Sequence, residues 1–185
     1  MINDILNEAD GKMDKSVEST REEFAAIRAG RAHPSMFNKI LVDYYGTQTP
    51  LNQLASFTSQ DARTILIQPF DIGAMGNIEK AIRDSDLGVN PADDGKLIRC
   101  VFPELTEERR KEYIKVARAK AEDGRVAVRN LRRTAKQHLE KLAKEHEAGE
   151  DDVNSAEKRL DGMTKKHTDA IDELLKHKEA ELIEV

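Results

Sequence analysis

LTEERRKEYIKVARAKAEDGRVAVRNLRRTAKQHLEKLAKEH, residues 105–146, contains no proline and repeats its apolar residues at helical spacing. Thr106 is a natural N-cap, and Glu107 and Glu108 behind it suit the positive end of a helix dipole. At about 1.5 Å per residue the segment predicts a helix roughly 60 Å long. Projected around that helix, Lys111, Lys115, Arg118, Arg125, Arg129, Arg132 and Lys136 fall in one sector about 80° wide. Ala117, Ala121, Val128, Leu131, Ala135, Leu139 and Leu142 fill the neighbouring sector, so the helix can bury one face while offering cations from another. Gly124 projects outside that apolar sector, and Gly124→Ala is expected to stabilise the helix by roughly 0.5 to 1 kcal/mol.

A helix with a single apolar stripe needs partners to bury it. Upstream, Ile2, Leu6, Ala9, Met13, Ser16, Thr20 and Ile27 recur at spacings near three and four, with Val17 and Phe24 beside the seam. Gly30 and then Pro34 end that helix. Downstream, Ala148 to Asp152 make a turn and a new helix start, after which Val153, Ala156, Leu160, Met163, His167, Ile171, Leu174 and Leu182 repeat at near-heptad spacing. Between the first and second helices the period changes. Ile40 to Tyr45, Thr64 to Ile67 and Lys96 to Phe102 read as strands bounded by glycines and prolines, and they enclose one short amphipathic helix around Ala74 to Ser85. The fold class is therefore α+β: a long antiparallel three-helix bundle of residues 1–29 and 106–185, carrying an inserted, β-rich α/β lobe of residues 30–105. The chain crosses between them at Gly30, Arg31 and Ala32 and again at Pro103, Glu104 and Leu105, which makes these six residues the expected hinge.

Charged residues make up 35% of the chain and aromatics only 4%, a balance that favours long solvated helices over a thick core. The net charge of −5 argues against a generic nucleic-acid binder. That average conceals a concentration: Arg109 to Lys136 holds eleven basic residues against three acidic ones, a local charge of +8, leaving about −13 elsewhere. A solvated helix face would account for such a stripe. Two details favour RNA instead: among the stripe residues Glu122 is the main acidic neighbour at helical spacing, and arginine, whose planar fork suits phosphates and base edges, outnumbers lysine.

Catalytic arrangements are thin. His33, His138, His146, His167 and His177 show no metal-ligand spacing with Cys100 or with one another, and no phosphate-binding glycine loop or nucleophile elbow occurs, so no catalytic residue, metal or cofactor is expected. Gly73 to Gly76 matches the GXXG clamp of KH domains only superficially, because no basic residue precedes Lys80 nearby. Cys100 lies within a strand pattern and reads as a small buried hydrophobe. A single cysteine excludes an internal disulfide, and the start MINDILNEAD lacks a secretory pattern, so a cytoplasmic monomer with no membrane contact is expected. The heptads alone would also suit a structural or chaperone-like coiled-coil protein, but that reading leaves the basic stripe unexplained.

Four segments, in order, resemble the ribosome recycling factors. Ile27-Arg28-Ala29-Gly30-Arg31-Ala32-His33-Pro34 is similar to the R-x-G-R-A-x-P segment at that family's first domain junction. Tyr44-Tyr45-Gly46 through Pro50-Leu51-Asn52-Gln53-Leu54-Ala55, Leu105 to Lys111, and Arg125 to Arg133 follow, and the resemblance spans essentially the whole chain. It implies an L-shaped protein of about the size of tRNA. It also implies a helical arm that lies on large-subunit rRNA of the 70S ribosome after termination, and a lobe acted on by elongation factor G with GTP, so that the subunits separate while the factor itself hydrolyses nothing. The resemblance implies that Arg110, Arg129 and Arg132 contact RNA. With the stripe and the matched segment, the candidate rRNA-binding set is Arg110, Arg118, Arg125, Arg129, Arg132, Arg133 and Lys136. Gly124 departs from the family's pattern, which commonly has alanine there.

Overall fold

The computed structural model describes residues 1–184. In chain order its main elements are α1 (Ile2–Ala25), β1 (Leu41–Tyr44), β2 (Thr47–Pro50), β3 (Ala55–Asp61), β4 (Thr64–Pro69), α2 (Met75–Arg83), β5 (Pro91–Asp93), β6 (Ile98–Val101), α3 (Glu107–Lys144) and α4 (Glu150–Ile183). The class is α+β, with three long helices and a small antiparallel lobe. By contacts the chain divides into two compact units, one of Met1–Phe24 with Lys115–His177, the other of Ala25–Ile114 with Lys178 onward.

In the first unit the helices pack by a shared register. Thr20 lies against Gly124 and Glu23 pairs with Lys120, so α1 runs antiparallel to α3. Arg125 meets Asp172 and Arg132 meets Asp161, so α4 is antiparallel to α3 as well. Leu6, Ala9, Met13, Ala117, Ala121, Val128, Leu139, Val153, Ala156, Leu160 and Ile171 form the buried seam. Gly124 is part of that seam and not outside it. An added Cβ would press on Thr20 Oγ1 and stand 3.1 Å from Ile171 Cδ1, so the helix-propensity gain expected from alanine is set against overpacking. The series Ala121, Gly124, Val128 continues the three-then-four spacing of the core, and the missing side chain is what lets α1 and α4 close on α3. The turn after α3 also differs in detail from expectation. His146, with φ of 57°, takes the left-handed position, and Glu147 N–H donates to Leu142 C=O at 2.9 Å, closing a Schellman end with histidine in the place usually held by glycine.

Among the described residues the second unit holds six strands where the hydrophobic pattern shows three. β2, β3 and β5 are Thr47–Pro50, Ala55–Asp61 and Pro91–Asp93, polar or very short, and they carry almost no alternation to read. β1 and β2 form a hairpin whose two turn residues, Tyr45 and Gly46, both have positive φ (49° and 86°), as the tight type I′ turn requires. The other four strands form an antiparallel sheet in the order β3-β4-β6-β5. Ile65 and Ile67 stand opposite Cys100 and Ile98, and these four are fully buried with Phe37, Ile78, Ile82 and Phe102. Burial pushes the Cys100 thiol up to about 12, so it is an inert core residue.

The ends of the long helices count with this second unit. Lys178, on α4, donates from Nζ to Ile27 C=O at 2.8 Å, and a Cβ on Gly30 would meet Glu184 C=O at 2.6 Å, so only glycine allows that approach. Arg28 is 5% exposed. Its guanidinium donates from Nη2 to Pro103 C=O and stacks 5.3 Å from the centre of the Phe102 ring. Desolvation holds its pKa below the ordinary arginine value, which marks a cation retained for its hydrogen bond and packing.

Candidate nucleic-acid interface

α3 is the element that carries the cations. Thr106 caps it as expected, its Oγ1 accepting from Arg109 N–H at 3.1 Å, and the helix then runs unbroken to Lys144. Within the first unit Arg118, Arg129 and Arg133 are exposed, while Arg125, Arg132 and Lys136 are half-buried along their stems. Packing Ala117, Ala121, Gly124 and Val128 into the seam turns this face outward, and Arg118, Arg125, Arg129, Arg132 and Lys136 lie beside the apolar sector as projected, with Arg133 outside that projected set.

The stripe is better neutralised than its own sequence suggests. Acids at helical spacing lie against several of its members, among them Glu107 at 3.5 Å from Lys111, Glu122 at 2.8 Å from Arg125 and Glu140 at 4.0 Å from Lys136. Two more acids come from α4. Arg125 Nε donates to Asp172 Oδ1 and Arg132 Nε to Asp161 Oδ1, each at 2.7 Å, while Arg129 shares Glu122 at 3.1 Å. Hydrogen bonding from Arg125, and then from Arg129, holds the Glu122 carboxyl below the usual carboxylate range. Partial burial lowers the pKa of Arg125, but Asp172 and Glu122 outweigh it and the net shift is upward. Solvent-exposed pairs such as Arg132–Asp161 contribute about 0 to 1 kcal/mol each. They order the guanidinium forks without locking them.

Arg110 stands apart. It belongs to the second unit, where Nη1 donates to Ile183 C=O at 3.4 Å among Leu105, Lys111 and Ile114, a position that helps finish α4. The six expected hinge residues also lie within that unit. Ala32 is buried and donates to Ala62 C=O at 2.8 Å, Pro103 C=O accepts from Arg28, Leu105 is buried, and Arg31 and Glu104 are exposed. Sequence reasoning assigned no role to Arg28 or Lys178. Each had a signal: Arg28 interrupts the apolar run Ala25-Ala26-Ile27, and Lys178 falls seven residues after Ile171 and four before Leu182, on the buried side of α4.

The Ribosome recycling factor family model matches residues 20–183. The chain belongs to the ribosome recycling factor family. It is 82% identical to the ribosome-recycling factor of Nocardioides sp. and 64% identical to that of Acidothermus cellulolyticus, in both cases over the full length of both chains. The solution structure of a ribosome recycling factor superposes with a TM-score of 0.78 at 39% identity, covering 100% of this chain and 98% of the other. The T. thermophilus ribosome recycling factor, placed with E. coli elongation factor G on the E. coli post-termination complex, superposes with a TM-score of 0.70 at 42% identity over 100% of both chains. Among the described residues no helix is long and apolar enough to cross a membrane. Within this ribosome recycling factor fold the four matched segments take different tasks. The first supplies Arg28 and Gly30, the second makes the β1–β2 turn, the third caps α3, and the fourth carries Arg125, Arg129, Arg132 and Arg133.

Proposed function

We propose that this chain recycles ribosomes after termination by laying the exposed arginine face of α3 on large-subunit rRNA. The observation that carries the reading is the set Arg125, Arg129 and Arg132, each held by a surface carboxylate that an RNA phosphate can replace. Arg118, Arg133 and Lys136 extend the contact along the same helix, and Arg110 extends it toward the start of α3. In the bound state phosphates displace Glu122, Asp161 and Asp172, and the bundle of residues 1–29 and 106–185 becomes the anchored part. Elongation factor G, using GTP, then works on the lobe of residues 30–105. Exposed Tyr45, Phe70 and Ile72, gathered around Asp71, give that lobe an apolar contact surface. Gly30 to Ala32 and Pro103 to Leu105 serve as the turning points. The subunits part, mRNA and tRNA are freed, and the chain acts as a cytoplasmic monomer that catalyses no reaction and needs no cofactor.

Sedimentation with isolated large subunits, and stopped-flow light scattering of subunit splitting with elongation factor G and GTP, test the proposal directly. Arg132→Ala removes a charge-assisted contact worth on the order of 1.5 to 3 kcal/mol, so binding weakens at least about tenfold and its salt dependence becomes shallower. Arg132→Lys restores charge but not the fork and recovers part of the loss. Parental binding and splitting by Arg132→Ala would show that the stripe is only a solvated face. Spin labels placed on bundle and lobe should give a broad distance distribution in the free protein, and a single narrow distance would remove the hinge from the mechanism.

A further inference from the structure

Away from the arginine face, α1 and α4 bring three ligand-type groups together that lie far apart in the sequence. Asp10 and Asp14 stand one turn apart on α1, and His167 reaches them from α4, with one ligand atom of each within 4.8 Å of the others. His167 is 3% exposed. Its Nε2 lies 2.7 Å from Asp14 Oδ1 and 3.5 Å from Asp10 Oδ1. Its Nδ1 lies 2.7 Å from the backbone carbonyl of Met163. A carbonyl only accepts, so Nδ1 carries a proton. Nε2 faces the two carboxylates, and three ligand-type atoms converge on one point.

We infer that Asp10, Asp14 and His167 form a divalent transition-metal site of the zinc class. The second observation beyond the carboxylate pair is the buried ring itself. Its orientation and tautomer are set by a carbonyl behind it, the arrangement that metal-bound histidines ordinarily have. The spacing also suits the ion. Ligand atoms held tetrahedrally about 2.1 Å from zinc lie about 3.4 Å apart. Asp10 already stands at 3.5 Å from Nε2, and Asp14 must retreat by only roughly 0.7 Å, which an exposed side chain does by rotation. Imidazole nitrogen with carboxylate oxygen favours zinc, cobalt or manganese over calcium and magnesium, which take oxygen alone. Solvent fills the fourth position from the open side. Bound there, the ion ties the early turns of α1 to the middle of α4, within the unit that carries the arginine face.

The test uses the full chain with Zn²⁺ alone by calorimetry and with Co²⁺ alone by visible d–d absorption. The expected stoichiometry is one ion per chain. Asp14→Asn and Asp10→Asn, both at accessible positions, each weaken binding by at least roughly tenfold, and His167→Gln removes it. Zn²⁺ raises the melting temperature of the parent and not of Asp14→Asn. Should His167→Gln fail to fold, the two asparagine variants carry the result. Failure of the parent to bind at millimolar metal overturns the inference. Binding that survives both asparagine variants does so too, as does an Nε2 that stays protonated in ¹⁵N spectra while metal binds.

Discussion

Arg28 and Lys178 in the second unit are held differently from the arginines of α3 in the first, although Lys178 also has Glu181 3.4 Å away. In the second unit Arg28, Arg110 and Lys178 donate to backbone carbonyls of Pro103, Ile183 and Ile27, and Arg28 and Lys178 are almost wholly buried. In the first unit Arg129 and Arg132, with the less accessible Arg125 (19% exposed), donate to the carboxylates of Glu122, Asp161 and Asp172. A buried cation on a carbonyl has no exchange partner, because releasing it leaves a charge without solvent. An exposed cation on a carboxylate gives up about 1 kcal/mol or less and can take a phosphate in its place. Arg28 is thus structural while Arg125, Arg129 and Arg132 keep carboxylate partners at the surface, and local charge density alone does not separate the two.

The sharpest way to break that contrast is Arg28→Ala. Truncation removes the donor to Pro103 C=O, the stacking on Phe102 and the packing of a side chain that is 5% exposed. Stability should fall by about 2 to 4 kcal/mol in chemical denaturation. Arg28→Lys keeps the charge but not the planar fork and should recover less than half. If Arg28→Ala unfolds at the parental midpoint, Arg28 is not an anchor and the contrast fails on its buried side.

Within the first unit the fixed point is a contact and not a charge. Gly124→Ala forces a methyl group against Thr20 and Ile171, and the resulting overpacking should destabilise by about 1 to 3 kcal/mol, more than any single exposed ion pair on the stripe contributes. Pairing it with Thr20→Ala should recover much of the loss by removing Oγ1. A raised midpoint for Gly124→Ala alone would mean that α1 and α4 shift freely to admit the methyl.

Lys178 allows the buried side to be read by pH. Desolvation lowers its pKa, with Glu181 opposing the shift. Between the folded value and the unfolded value near 10.4 the unfolded chain binds more protons, so stability rises as pH climbs through that window, by roughly 1.4 kcal/mol for each unit of depression. Below the window both states are protonated and the contribution is flat. The stability difference between the parent and Lys178→Met, followed from pH 8 to 11, should therefore move in favour of the parent as pH increases. A difference that is level or moves the other way contradicts a desolvated ammonium.

Much of this was legible in the chain itself. The three long helices, the inserted β-rich lobe and the basic face follow from periodicity, because a long amphipathic helix repeats its signal many times. β2, β3 and β5 escaped because short, exposed strands such as Thr47–Pro50 take their order from neighbours across the sheet and not from their own alternation. Gly124 was misplaced because a glycine carries no hydropathy of its own, although its position in the series Ala121, Gly124, Val128 marks it as a seam residue. The partners of the arginines were hidden for another reason. Asp161 and Asp172 lie on α4, and their proximity to Arg132 and Arg125 depends on the antiparallel register, which no window of sequence contains.

Asp161→Asn is the smallest effect and the one that separates two meanings of an exposed pair. Arg132 Nε donates to Asp161 Oδ1 at 2.7 Å, and the two side chains are 40% and 58% exposed. After discounting for solvent screening the pair contributes less than about 1 kcal/mol to folding, so the midpoint should shift little. Binding of the large subunit should instead tighten by roughly threefold, because Arg132 no longer has to leave a carboxylate before it meets a phosphate. A gain of that size could also come from removing one negative charge near RNA, wherever Arg132 points. The double variant Arg132→Ala with Asp161→Asn distinguishes the two. If Asp161 acts by holding Arg132, the gain disappears in the Arg132→Ala background. If it acts through the field alone, the gain persists and shrinks with added salt. Weaker binding by Asp161→Asn would mean that Asp161 positions the guanidinium for RNA, and the carboxylates of α4 would then belong to the binding face as supports and not as competitors.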